Sequence, residues 1–161
     1  MKAKSLKKLR EELVYAEKQE LVDFCLQLAR FKAENKELLT YELFYRNNKD
    51  LYLTEIETHV DKEFKGLNAD SYHYLKKGVQ KINRHIKKYV RIAKDPEVEV
   101  HLTLYFLEKF KDYQPPLHKQ KILNNLYQRE YKLVCKKIEK LHPDLQYDYN
   151  SALEELHPNN L

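Results

Sequence analysis

The sequence contains very few of the residues that make turns. Of its 161 residues, two are glycine and five are proline, and there is no tryptophan. An all-β fold needs many more turn residues than this, so the scarcity argues against one. Glycine-rich loops that hold phosphates are also excluded in practice, and no P-loop, GxGxxG, GxSxG or HExxH motif occurs.

Cysteine is equally scarce, and a long apolar run is missing. Cys25 and Cys135 are far apart, and each lies among apolar residues. This placement predicts two buried thiols in a reducing compartment. The basic N-terminus is interrupted by charge every two or three residues, unlike a signal peptide, and no window resembles a membrane span. We therefore expect a cytoplasmic protein.

Apolar residues recur at intervals of three and four along almost the whole sequence, which indicates helices. The prediction is an all-α chain of seven to eight antiparallel helices stacked as helical hairpins. A short α-solenoid-like stack is preferred to a compact bundle, because the helices differ in length. The chain is long enough for one domain, residues 1–161, with helix 5–15 and helix 151–157 as weakly attached ends.

Local signals place the helix boundaries. Asn35 and Asn48 or Asp50 are candidate N-caps, and Gly66 is a candidate left-handed residue after a helix. Asp95-Pro96 is a strong helix start. Residues 97–106 alternate like a strand, but helix is preferred because a lone strand would have no partner. The predicted helices are 5–15, 17–32, one after Asn35, 50–65, 70–94, one from Pro96, 117–142 and 151–156.

The helix predicted for residues 70–94 has the most uneven charge. The chain carries a formal charge of +5, whereas residues 76–94 alone carry eight Lys or Arg residues and no acid, so the rest of the chain sums to 5 − 8 = −3. Apolar residues from Tyr72 to Ala93 form one face, and basic residues form another. The basic character of the protein is therefore local.

This basic face is the one candidate binding surface in the sequence. A row of cations can follow a phosphate backbone, and an aromatic ring beside it can stack on a base. The alternatives are an acidic protein partner, a solvated face, or pairing with Glu57, Asp61 and Glu63 of the preceding helix. The candidate residues for polyanion or nucleic-acid binding are Lys77, Lys81, Arg84, Lys88, Arg91 and Tyr74.

Two Glu-x-x-His pairs could in principle hold a metal ion, as in di-iron bundles. They are Glu139 with His142 and Glu154 with His157, and each is followed by proline, which indicates a helix end instead. A di-metal site also needs further inward glutamates, and only Glu42 stands out. Glu55, His59 and Glu63 share one side of a helix. We expect this side to be exposed to solvent, with only weak pairing between residues four positions apart. We therefore predict no metal, no cofactor and no catalytic residue.

Three phrases of the sequence are similar to a group of short helical proteins of Bacteroidota-type bacteria. They are LVDFCLQLARFKAENKELLTYELF, SYHYLKKGVQKINRHIKKYVR and KIEKLHPDLQYD. The resemblance covers about residues 17–148. It implies a bacterial, cytoplasmic helical domain, and it implies no activity and no site residues.

The sequence therefore predicts a non-enzymatic interaction module for protein–protein contacts. Polyanion or nucleic-acid binding through helix 70–94 is the first alternative. A metal-binding helical protein is the second and weaker alternative.

Overall fold

The computed structural model describes residues 2–160, and in this range the chain is all-α with no strand. The predicted fold class is therefore confirmed. The α-helices are α1 (Leu6–Leu13), α2 (Lys18–Phe31), α3 (Ala33–Thr40), α4 (Lys49–Lys65), α5 (Tyr72–Ala93), α6 (Pro96–Asp112), α7 (Lys121–Ile138) and α8 (Pro143–Glu155). Among the described residues, no helix combines the length and the apolar character that crossing a bilayer requires.

Contacts divide the chain between Arg46 and Asn47 into two compact units. The N-terminal unit contains α1, α2 and α3, and α3 continues into one π-helical turn over Tyr41–Tyr45. Local signals start α2, because Glu17 and Glu20 form a reciprocal capping box. No described side chain of this unit is buried.

The C-terminal unit contains α4 to α8, which run up and down as hairpins. The hydroxyl of Tyr52 donates to the carbonyl of Tyr89 at 3.0 Å, so the start of α4 lies beside the end of α5. Lys137 Nζ donates to Glu99 Oε2 at 2.8 Å, so the end of α7 lies beside the start of α6. These contacts make α4 antiparallel to α5 and α6 antiparallel to α7.

The core of this unit is organised around α6. Seven of its side chains are buried, on more than one side of the helix. Residues 97–106 are therefore helical as predicted, and their alternating pattern arises because neighbouring stripes of α6 both face other helices. Asp95 is the N-cap, accepting from the N–H of Glu97 at 2.8 Å, and Pro96 takes the first helical position. The buried residues of α6 are Val98, Val100, Leu102, Leu104, Phe106, Leu107 and Phe110.

Several predicted boundaries were wrong for local reasons. Asn35 lies inside α3 and donates to the carbonyl of Leu28 at 2.8 Å instead of capping the helix. Gly66 has a φ of −87° and is not left-handed. The left-handed position is Lys94, with φ 53°, which ends α5. Pro143 does not end a helix but begins α8 at its first position.

The predicted burial of both thiols was also wrong. Cys25 is exposed, and Cys135 is half-buried. Cys25 lies on α2, in the unit that has no buried side chain, so its apolar neighbours in sequence do not enclose it. Burial raises the pKa of the Cys135 thiol above its ordinary value.

Candidate functional site

Helix α5 carries the predicted separation of apolar and basic faces. Leu75, Val79, Ile82 and Ile86 are buried at helical spacing. On the other side, Lys77, Lys81, Arg84 and Arg91 are exposed, Lys88 is half-buried, and Tyr74 is 59% exposed.

A groove lies between α5 and α7, formed by two adjoining depressions of about 590 Å³ and about 390 Å³. The two depressions share Asn83 and Lys87. We call this feature the α5–α7 groove. Its polar and charged lining includes Gln80, Asn83, Arg84, Lys87, Arg91, Asn125, Arg129, Glu130 and Lys137, with Glu99 and Thr103 from α6. Its apolar lining is Ile86, Val90, Ile122, Leu126, Leu133 and Val134.

Glu130 on α7 is the one strongly buried charge of the groove, with 3% of the residue exposed. Its Oε1 accepts from Asn83 Nδ2 at 3.0 Å and from Lys87 Nζ at 2.8 Å. Arg129 also donates to Oε1, through Nη2 at 2.8 Å and through Nε at 3.2 Å. The carboxylate therefore fixes one lysine and one arginine side chain at the wall of the groove.

The pKa of Glu130 reflects two opposing effects. Burial by itself would raise it, because burial disfavours the charged form. The hydrogen bonds from Lys87, Arg129 and Asn83 outweigh burial, so the pKa lies below its ordinary value. Glu130 is therefore ionised in the folded protein at neutral pH.

The α5–α7 groove has an excess of positive charge. Five basic residues line it, against two carboxylates. Both carboxylates are already bound, since Glu130 holds Lys87 and Arg129, and Glu99 accepts from Lys137. Most of the cations are solvent-accessible, and the side chains of Lys87 and Arg129 are 51% and 59% exposed. The groove is therefore suited to an anionic ligand.

The structure divides the six residues of the predicted binding face. Arg84 and Arg91 line the α5–α7 groove. The other four, Lys77, Lys81, Lys88 and Tyr74, lie outside its lining. Lys88 Nζ stands over the ring of Tyr89, 5.1 Å from its centroid.

One alternative from the sequence was that three acidic residues of α4 pair with the basic face of α5. In the structure these acids contact other side chains. Glu57 contacts His101, and Glu63 contacts His85. Asp61 accepts from the Tyr105 hydroxyl at 2.8 Å and pairs with Lys109 at 3.1 Å. Burial and the bond to Asp61 raise the pKa of Tyr105 to about 12. These contacts direct the negative charge of α4 mainly toward α6.

The two Glu-x-x-His pairs have local structural contacts. His142 is the N-cap of α8, and its Nδ1 accepts from the N–H of Asp144 at 3.4 Å. The ring of His157 packs edge-on against Tyr131, 5.5 Å between centroids, and its Nδ1 accepts from Asn159.

Sequence reasoning missed the inward glutamate that organises the groove. Glu42, the predicted inward acid, is exposed. Glu130 is the buried one, three residues after Tyr127 and four before Val134, both of which are buried. That spacing was visible in the sequence and would have identified Glu130 as a core-facing charge in need of cationic partners.

The chain was also compared with known proteins. No protein-family model matches it, and no curated protein and no solved structure shows a significant match.

Proposed function

We propose that this chain is a non-enzymatic interaction module that binds an acidic segment of another protein in the α5–α7 groove. The observation that carries the proposal is the convergence of Arg84, Lys87 and Arg129 beside exposed apolar side chains. A helix with acidic residues on one side and apolar residues on another fits such a groove. The resemblance to helical proteins of Bacteroidota-type bacteria is compatible with this role.

The composition of the groove favours a peptide over a nucleic acid. Nucleic-acid grooves that follow a single strand combine cations with aromatic platforms. No aromatic residue lines the α5–α7 groove, and Tyr74 lies elsewhere on α5. Leu133 and Ile122 are instead 43% and 46% exposed, which offers apolar contact to a partner side chain.

The test measures binding of a fluorescein-labelled 20-residue peptide with glutamate on one helical face and leucine on the opposite face. Fluorescence anisotropy gives the dissociation constant. Arg84→Glu should weaken binding about tenfold, since an attraction becomes a repulsion. Leu133→Ser should also weaken it about tenfold, through lost apolar contact. Single-stranded oligothymidylate of 20 nucleotides is the competing probe.

Matched controls lie on α4, outside the groove. Lys62→Glu makes the same change of charge at an exposed position, and Leu51→Ser makes the same change at a leucine that is 44% exposed. Neither should change the dissociation constant by more than about twofold. Equal losses in control and groove variants would contradict the proposal. Tighter binding of oligothymidylate, lost in Lys81→Glu, would replace it with polyanion binding through the basic face.

A further inference from the structure

A second cluster of chemistry-bearing side chains lies between α4 and α5, outside the α5–α7 groove. His59 and Glu63 are one turn apart on α4, and His85 comes from α5. His85 Nδ1 lies 2.7 Å from Glu63 Oε1, and His59 Nε2 lies 3.6 Å from Glu63 Oε2. One ligand atom from each of the three residues lies within 4.8 Å of the other two. Among residues 2–160, this is the one group of three potential metal ligands so arranged.

Two atoms of this cluster have unmet hydrogen-bonding capacity. Glu63 Oε2 and His85 Nδ1 are both buried, and neither has a hydrogen-bond partner. Although Nδ1 is close to Oε1, the pair lacks the alignment of a hydrogen bond. Buried polar atoms without partners are rare and unfavourable, so each one calls for a physical explanation.

A cation between the three side chains would satisfy both atoms. The carboxylate oxygens and the neutral imidazole nitrogens all present lone pairs, which a metal ion accepts as ligands. Two histidines and one glutamate form a ligand set that zinc uses when a further coordination position is left to water. The side chain of His59 is 46% exposed, so solvent reaches that side of the cluster.

We propose that His59, Glu63 and His85 bind one divalent transition-metal ion, with Zn²⁺ as the preferred ion. Tetrahedral zinc with bonds of ~2.0–2.1 Å requires ligand atoms roughly 3.3 Å apart. His85 Nδ1 lies 2.7 Å from Glu63 Oε1, His59 Nε2 lies 3.6 Å from Glu63 Oε2, and one ligand atom of each residue lies within 4.8 Å of the other two. Side-chain movements of about 1–2 Å would bring one oxygen and two nitrogens to tetrahedral spacing. The Tyr89 ring packs edge-on at 6.0 Å from the ring of His59 and limits its rotation.

The proposed ion would also link α4 to α5. A ligand that binds the folded state and not the unfolded state raises the melting temperature in proportion to the logarithm of its concentration. Zinc should therefore raise the melting temperature of the protein, and a chelator should reverse the rise. This readout does not depend on any activity or on the α5–α7 groove.

The experiment uses the full chain after removal of metal with a chelator. Isothermal titration with Zn²⁺ should give one ion per chain, and Co²⁺ should give the visible absorption of a low-coordinate site. Glu63→Gln and His85→Gln should each weaken Zn²⁺ binding by about 100-fold or more. His59→Gln, at an exposed position, should do the same without disturbing the fold.

His101 provides the matched control. His101 on α6 also contacts a glutamate of another helix, Glu57 on α4. Unlike His59 and His85, it belongs to no group of three potential metal ligands. His101→Gln should leave zinc affinity and stoichiometry unchanged. The proposal is overturned if the wild-type chain binds well below one ion, if Glu63→Gln and His59→Gln keep wild-type affinity, or if His101→Gln weakens binding as much as they do.

Discussion

The two units of this chain show how differently apolar residues can be used in helices. Among residues 2–160, all twenty-three buried apolar side chains belong to the C-terminal unit. The N-terminal unit has large apolar side chains as well, but Leu6, Tyr15 and Phe31 are 86%, 88% and 79% exposed. Its helices are supported by caps and local hydrogen bonds, whereas α4 to α7 are supported by burial.

The difference predicts unequal stability along the chain. Isolated helices shorter than about 12–15 residues are marginal in water, and α1 and α3 have eight residues each. Helices that bury an apolar face gain most of their stability from packing. We therefore expect the cooperative unfolding transition to report on the C-terminal unit, and the following predictions test that expectation.

The largest effect should come from a pair of phenylalanines, one in each unit. Phe106 on α6 is fully buried, so Phe106→Ala should lower the free energy of unfolding by about 3–5 kcal/mol. Phe31 on α2 is 79% exposed, so Phe31→Ala should change it by less than about 0.5 kcal/mol. Urea denaturation followed by circular dichroism measures both. Similar losses for the two variants would show that the N-terminal unit contributes to the same cooperative core.

A smaller effect is expected from the buried carboxylate of the groove. Glu130→Gln should lower the free energy of unfolding at pH 7 by about 2 kcal/mol, because hydrogen bonds to a charged group are lost. The folded-state pKa of Glu130 lies below the ordinary value of 4.5, so its stabilisation is present above pH 4.5 and is lost as pH falls through the folded-state pKa. The difference between wild type and variant should therefore shrink as pH falls below 4.5 and through the folded-state pKa.

Glu139→Gln is the control for that titration, since Glu139 is an exposed glutamate directly after α7. It should leave the free energy of unfolding within about 0.5 kcal/mol of wild type at pH 7. A Glu130→Gln curve that runs parallel to wild type down to pH 3 would mean that the carboxylate is not selectively stabilised in the folded state.

The smallest effect should come from two helix caps. Asp95 caps α6 and pairs with Lys49 at 3.0 Å, so Asp95→Ala should lower the free energy of unfolding by about 1 kcal/mol. Ser5 caps α1 through a longer contact of 3.4 Å to the N–H of Lys8. Ser5→Ala should leave the melting temperature unchanged. Thermal denaturation measures both, and a larger shift for Ser5→Ala would reverse the ranking of the two units.

Much of the fold could be predicted because its signals are local. The periodicity of α5 and the Asp95-Pro96 start of α6 depend only on residues close in sequence, and both are confirmed. Boundaries such as Pro143 were missed because proline is compatible with ending one helix and with beginning the next. The exposure of Cys25 was missed because an apolar stripe shows that a helix has an apolar face, but not whether a partner covers that face.

The candidate sites depend on residues that are distant in sequence, and this limits what a sequence can show. Arg84 was found because it belongs to a basic stretch. The α5–α7 groove also depends on Glu130, which holds Lys87 and Arg129 in place. Glu130 lies 47 residues along the chain from Asn83, which donates a hydrogen bond to it. In the same way, His59 and Glu63 were visible as neighbours on one helix, but His85 joins them only through the antiparallel packing of α4 and α5.

The hydrogen bond between Tyr127 and Leu156 bears on the order in which native contacts can form while the chain is being synthesised. The Tyr127 side chain is fully buried, and its hydroxyl donates to the carbonyl of Leu156, 29 positions later. A nascent chain that has emerged only as far as α7 has no acceptor for this hydroxyl from α8 or beyond. This hydrogen bond therefore forms only after all five helices of that unit, α4 to α8, have been synthesised.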